Sequence, residues 1–257
     1  MSPRTGRGVR TAVALATAAA AASVAACGTL HGVTSPRDAR EDAQATRTQD
    51  PQRPVDCGTD KCVALTFDGG PSRPTPELLD ILKEKHVHVT FFVQGKGHTD
   101  TYPKTVLRMA REGHEIGNHT WSHKNLTALD EKGITGELVP VQQEVRAITG
   151  HAPTLMRPPQ GRTDDKVSAV MKRLGLAQVL WSVTAKDYAT TDTKTIIRRV
   201  LDQTHRDGVI LLHERYKGTV PAVPAIIDAL RERGYTLVTF SQLLAPAVPR
   251  PGVVYRP

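Results

Sequence analysis

Short apolar runs alternate with helix-period segments from residue 62 to residue 240, and that alternation decides the fold class. The strand candidates are "CVALTF" (62–67), "HVTFFV" (88–93), "EIGNH" (115–119), "LMR" (155–157), "AQVLWSV" (177–183), "GVILLH" (208–213) and "TLVTF" (236–240). Helical patterns fall between them at 75–85, 102–113, about 130–149, 164–175, 192–205 and 220–234. Several open on Thr or Asp and close on Gly, as helix caps require. Strand–helix alternation of this kind builds parallel strands joined by crossover helices. About seven units favour a barrel, complete or incomplete, over an open doubly wound sheet.

The termini read differently. Arg4, Arg7 and Arg10 precede the apolar run "TAVALATAAAAASVAAC", the pattern of a secretory signal. "VAAC" (24–27) resembles a bacterial lipobox. The expected organisation is a lipoprotein-type signal peptide over 1–26, a lipidated Cys27 opening a flexible tether over 27–55, a domain over 56–245 and an extended tail over 246–257. An ordinary signal peptide with a chance cysteine is the alternative. Either way the protein is exported, anchored to the outer face of the cell membrane or else secreted. Cys57 and Cys62 then sit in an oxidising compartment and are expected to pair. Two thiolates alone do not complete a zinc shell. The net charge of +8 is spread over leader, domain and tail, with no dense basic stripe, so nucleic-acid binding is not expected. The domain is expected to be monomeric.

Polar residues cluster where strands should end. Asp68 follows the first strand, His119 ends the third and Arg157 the fourth. Asp187 lies just past the fifth, and His213 ends the sixth. On a barrel these groups converge on one mouth. His119 and His123, in "HTWSHKNL", are four apart; a helical turn there lets both imidazoles share a metal. Solvated or capping histidines are the alternative. "RPPQG" (157–161) is a rigid turn whose arginine can reach a carboxylate and whose N–H groups can face a developing oxyanion. A plain proline-rich turn with a surface arginine is the alternative. Asp187 can hold His213 protonated and oriented, against the alternative of a structural strand-end histidine.

"TFDGGPS", "HTWSHKNL", "RPPQG", "LWSVTAKDY" and "VILLH" resemble, in order, the five motifs of the polysaccharide deacetylase family. The family is also called the NodB-homology domain or carbohydrate esterase family four. The resemblance spans about residues 60–242, and "TFFVQG" and "REGHEIGNH" share it. It implies a distorted (β/α) barrel of NodB-homology type. It also implies metal-dependent removal of acetyl groups from N-acetylated or O-acetylated polysaccharide such as peptidoglycan, chitooligosaccharide or xylan. By the same resemblance Asp68 is the catalytic base and Arg157 orients it. His119 and His123 are the histidine ligands of a divalent metal, zinc first, with cobalt or nickel as alternatives. The Gln160 N–H is an oxyanion donor, His213 the general acid tuned by Asp187, and Trp181 and Leu211 line the acetyl pocket.

Three departures stand out. The family's first motif usually reads Thr-Phe-Asp-Asp-Gly-Pro, and its second aspartate is the third metal ligand; here that position is Gly69. Gln160 replaces a tyrosine, and Thr184 and Tyr188 alter the fourth motif. The Gly69 departure implies a weakly held metal. It keeps open a catalytically impaired homologue that binds glycan without turnover. An unrelated barrel glycosidase, using Asp68 and Asp187 as its two carboxylates, leaves the histidine pair unexplained.

Overall fold

The structure, a computed structural model, describes residue 1, residues 32–44 and residues 55–257. Residues 2–26 of the expected signal peptide, Cys27, and residues 28–31 and 45–54 of the expected tether lie outside the described residues.

Along the chain run β1 (Val33–Thr34), α1 (Pro36–Gln44), β2 (Cys62–Gly70), α2 (Thr75–Glu84), β3 (Thr90–Val93), α3 (Pro103–Arg111) and β4 (Glu115–Asn118). Then come α4 (Glu131–Thr149), β5 (Leu155–Met156), α5 (Asp165–Leu174), β6 (Ala177–Val179), β7 (Val183–Thr184) and α6 (Thr193–Gln203). The last elements are β8 (Val209–Leu212), α7 (Thr219–Glu232), β9 (Thr236–Val238), α8 (Phe240–Leu244) and β10 (Val254–Tyr255). Asp130, Asp164 and Asp192 cap α4, α5 and α6 by accepting from backbone N–H groups, and left-handed Gly150 and Gly175 end α4 and α5.

Every strand pairing among the described residues is parallel, in the order β1-β10-β6-β5-β4-β3-β2-β8-β7, with β9 beside β2. β2 is central and all nine of its residues are buried, which is why its first four residues, Cys62 to Leu65, are apolar without alternation. Only residues 180–182 separate β6 from β7, yet these strands pair at opposite ends of the β6–β7 run. So short a link forces the sheet to curl and brings its ends together, giving the distorted (β/α) barrel. The expected single strand over 177–183 is thus two strands with a corner between them. α2, α3, α6 and α7 pack an apolar layer against the sheet around Phe67, Phe91, Leu79 and Ile226.

Two expectations need correction. Part of the segment expected to be a flexible tether is β1 and α1, docked on the barrel. Arg40 is buried, ion-paired to Asp207 at 3.0 Å, and donates to the Leu243 carbonyl at 2.9 Å. The expected extended tail supplies β10, inserted between β1 and β6. Its Tyr255 is fully buried, with its ring 5.5 Å from that of Phe240. Two-residue strands carry no periodicity, so neither was visible in sequence. The expected pairing of Cys57 with Cys62 is present and ties the approach to β2 onto its first residue.

Breaking the Arg40 pair leaves buried Asp207 only the longer contact to the partly exposed Arg206, 3.8 Å away, which costs about 3 kcal/mol. Arg40→Met should therefore lower the urea midpoint clearly; an unchanged midpoint would mean that docking α1 adds no stability. A second prediction concerns pH. His114 is buried, accepts a hydrogen bond at Nδ1 from the Val89 N–H, and has its pKa lowered by burial from 6.5 to about 4. From pH 6.5 down towards 4 the unfolded chain takes up a proton that the folded chain refuses, so stability falls with pH across that window. His114→Asn keeps an acceptor but does not titrate. The wild type should lose about 2 kcal/mol more than this variant between about pH 7 and about pH 5. Parallel pH profiles would contradict it.

Candidate active site

The site begins where β2 ends. Against β3, Asp68 pairs with Phe92 and Gly70 with Val93, so Gly69 is the extra residue of a bulge, with φ +77°. Glycine enters this left-handed conformation without the clash a Cβ brings. The bulge ends the strand regularity and leaves Asp68 buried near the end of β2, against Arg157 and His119.

Asp68 Oδ1 accepts from Arg157 Nη1 at 2.8 Å. Arg157 is fully buried, and it also donates to Thr66 Oγ1 at 2.7 Å and to the Val179 carbonyl at 2.9 Å. Its guanidinium lies 4.2 Å from the Phe92 ring centre. Burial lowers the arginine's pKa, and the Asp68 carboxylate opposes that shift. The surface-arginine alternative for "RPPQG" is thereby corrected. Thr66, two residues before Asp68 and so on the same face of β2, joins the network, a partner that period-two spacing could have revealed.

The carbonyl of Arg157 meets His119 Nδ1 at 2.8 Å, so Nε2 faces Asp68 Oδ2, 3.9 Å away. Burial pulls the His119 pKa down to about 4, so the ring is neutral near pH 7 with its Nε2 lone pair presented. The His123 ring lies 5.0 Å from that of His119, centre to centre. Its pKa is lowered by burial first, and then by the Arg215 guanidinium. The two histidines do not share a helical turn. Thr120 and His123 both have left-handed φ, 70° and 60°, and Asn118 and Thr120 side chains accept from the turn's N–H groups. Glu137, unremarked in sequence, pins the loop to α4 by accepting from the Ser122 N–H and hydroxyl.

Neutral imidazoles suit zinc, cobalt or nickel, and His119, with Nδ1 tied to a carbonyl, and His123 would offer such an ion two nitrogens. The third protein ligand is missing. Among the described residues no cluster of three or more His, Cys, Asp or Glu side chains could hold a metal. Beside Gly69 stands Arg215, with Nη1 3.3 Å from where a Cβ on that glycine would lie.

Across the mouth, His213 Nδ1 meets Asp187 Oδ1 at 2.8 Å. Asp187 Oδ2 accepts from the His213 N–H and from the Thr219 hydroxyl. Asp187 is buried and His213 half-buried, so the imidazole keeps Nε2 for the cleft. Gln160 is exposed in a left-handed turn, φ 59°, behind two prolines that have no N–H. Trp181, at the β6–β7 corner, packs on Gly161, where a Cβ would lie 3.0 Å from its ring. Leu211 is buried in β8 opposite Thr66 and Thr184. The residues expected at the site thus gather at one end of the barrel.

The polysaccharide deacetylase family model matches residues 56–179. The Bacillus subtilis peptidoglycan-N-acetylmuramic acid deacetylase PdaC is 41% identical over 184 residues, 71% of this chain and 38% of that protein. The chain thus spans about two fifths of the length of that relative. The B. subtilis peptidoglycan-N-acetylmuramic acid deacetylase PdaA is 36% identical over 190 residues, 72% of each protein. The solved T48 deacetylase with substrate superposes with a TM-score of 0.75 at 40% identity, over 79% of this chain and all of that one. Fold, motif order and sequence identity together make this chain a member of the polysaccharide deacetylase family.

Proposed function

We propose that the domain hydrolyses acetyl groups from the N-acetylated sugars of cell-wall polysaccharide, with peptidoglycan as the substrate class. The observation that carries this reading is the division of labour between two supported groups on one mouth. Asp68 has one oxygen committed to Arg157 and the other turned towards His119, while His213 is held at Nδ1 by Asp187. The names of PdaC and PdaA favour an amide over an ester as the bond cleaved.

His119 and His123 would hold a divalent ion, which would supply Lewis acidity for the attack of water on the acetyl carbonyl. Asp68 takes the proton of the attacking water through Oδ2, its geometry fixed by Arg157. The Gln160 N–H donates to the oxygen that gains charge. His213 passes a proton from Nε2 to the departing amine, and Asp187 stabilises the imidazolium before transfer. Trp181 and Leu211 wall the methyl group. The leader sequence and the Cys57–Cys62 bridge support an exported enzyme, tethered to the membrane through Cys27.

Gly69 favours a second reading, in which the site binds glycan but turns over too slowly to matter. The two separate on acetate release from peptidoglycan, chitooligosaccharide and acetylated xylan, with and without added zinc or cobalt. Release is expected from peptidoglycan, stimulated by metal and abolished by His119→Ala. His213→Ala should lower kcat by roughly a hundredfold or more. Gly69→Asp should bind zinc roughly tenfold more tightly, since a charged oxygen joins the two nitrogens. No acetate from the wild type at any metal level, with strong release from Gly69→Asp, would establish the second reading.

A further inference from the structure

Two residues after His213, the chain places a cation at the mouth of the site. Glu214 turns inward. It is buried, accepts from the Thr75 hydroxyl at 3.1 Å, and lies so close over Gly70 that a Cβ there would fall 1.6 Å from its Oε1. With Glu214 committed to the interior, its neighbour Arg215 projects outward. The Arg215 guanidinium lies 5.2 Å from the Tyr216 ring centre and donates to the Tyr216 hydroxyl at 3.3 Å. The Tyr216 ring in turn packs edge-on against His213, 5.5 Å between centres. The exposed guanidinium therefore lies on the Tyr216 side of the proposed acid, facing solvent.

Its position is specific. Nη1, Cζ and Nη2 lie 3.3, 3.5 and 3.9 Å from the point where a side chain at residue 69 would begin. At this position the chain has a glycine with a guanidinium standing over it. Among the described residues no Asp or Glu comes within ion-pair distance of Arg215, although twelve other ion pairs or His–carboxylate contacts are formed. A planar, oriented guanidinium without an acidic partner, at the mouth of a cleft, is suited to a carboxylate brought by a ligand.

We infer that Arg215, across the gap left by Gly69, is a specificity-determining residue that recognises a carboxylate on the acetylated sugar. The inference rests on the deacetylase reading for the placement of the acetamide between Asp68 and His213. A group that reaches Gly69 while the acetamide lies there must sit close to it on the same sugar. The fitting class is an N-acetylated amino sugar with an acidic substituent on the ring carbon next to the acetamide, as in N-acetylmuramic acid with its lactyl carboxylate free. A peptide stem attached to that carboxylate removes this charge and presents its own carboxylates farther away. Neutral N-acetylglucosamine offers no partner.

Binding tests this without turnover. Titration calorimetry of the full chain compares a peptide-free oligosaccharide containing N-acetylmuramic acid with its lactyl methyl ester and with a peptide-bearing fragment. The free acid should bind about tenfold more tightly than the ester, and Arg215→Leu should erase that preference while Arg215→Lys keeps part of it. The peptide-bearing fragment should bind like the ester; tighter binding than the free acid would assign the carboxylate to the stem and overturn the lactyl assignment. Equal binding of acid and ester by the wild type would overturn the inference, and that arm needs no variant to fold. In turnover, Arg215→Leu should lower the ratio of kcat/KM for the acidic over the neutral sugar about tenfold, through KM. Acetate release with an unchanged ratio would refute Arg215 as the reader and leave the deacetylase standing. Acid-selective binding without acetate release would do the reverse.

Discussion

The site is organised by one buried ion pair. Arg157 has no contact with solvent, and burying a guanidinium is costly unless every part of it is engaged. Asp68 supplies the charge, Thr66 and the Val179 carbonyl of β6 take other N–H groups, and Phe92 covers a face. That single side chain joins β2, β3 and β6 to the turn after β5. Its own carbonyl then fixes His119, so base and first imidazole are set by the same residue. Removing Asp68 would leave an unpaired buried cation, so the residue proposed for chemistry is also tied to stability. Positioning of this kind keeps a carboxylate from turning towards a nearby cation, which a base must not do.

The opposite wall is built on the same logic with different parts. Asp187 is satisfied by a backbone N–H, a hydroxyl and an imidazole, so it stays put and leaves His213 one nitrogen for the cleft. Glu214 beside it is buried with Oε2 unpartnered, and burial raises its pKa to about 7. Its side chain faces Gly70 and Thr75, while Gly69 faces Arg215. The two adjacent glycines thus separate two environments, an internal carboxyl on one side and an external guanidinium on the other.

Much of this was legible in sequence, and the reasons differ by residue. Seven apolar runs marked the barrel strands because parallel strands covered on both faces need continuous apolar sequence. Asp68, His119, Arg157 and His213 stood out because each follows such a run. H-x-x-x-H spacing says nothing about φ, so the loop after β4 is not legible: left-handed Thr120 and His123, not a helical turn, bring the rings together. β1 and β10 were missed because two residues have no period. Arg215 was missed because an arginine after a strand looks like any solvated charge; only the bulge at Gly69 gives it a place.

Whether two imidazoles hold the metal can be measured directly. X-ray absorption at the zinc edge of the loaded wild-type protein reads the first shell without reference to turnover. Two imidazole nitrogens with the remaining scatterers oxygen are expected, and one imidazole should disappear in His123→Ala. A shell with no imidazole, or one unchanged in that variant, would contradict the site described for His119 and His123.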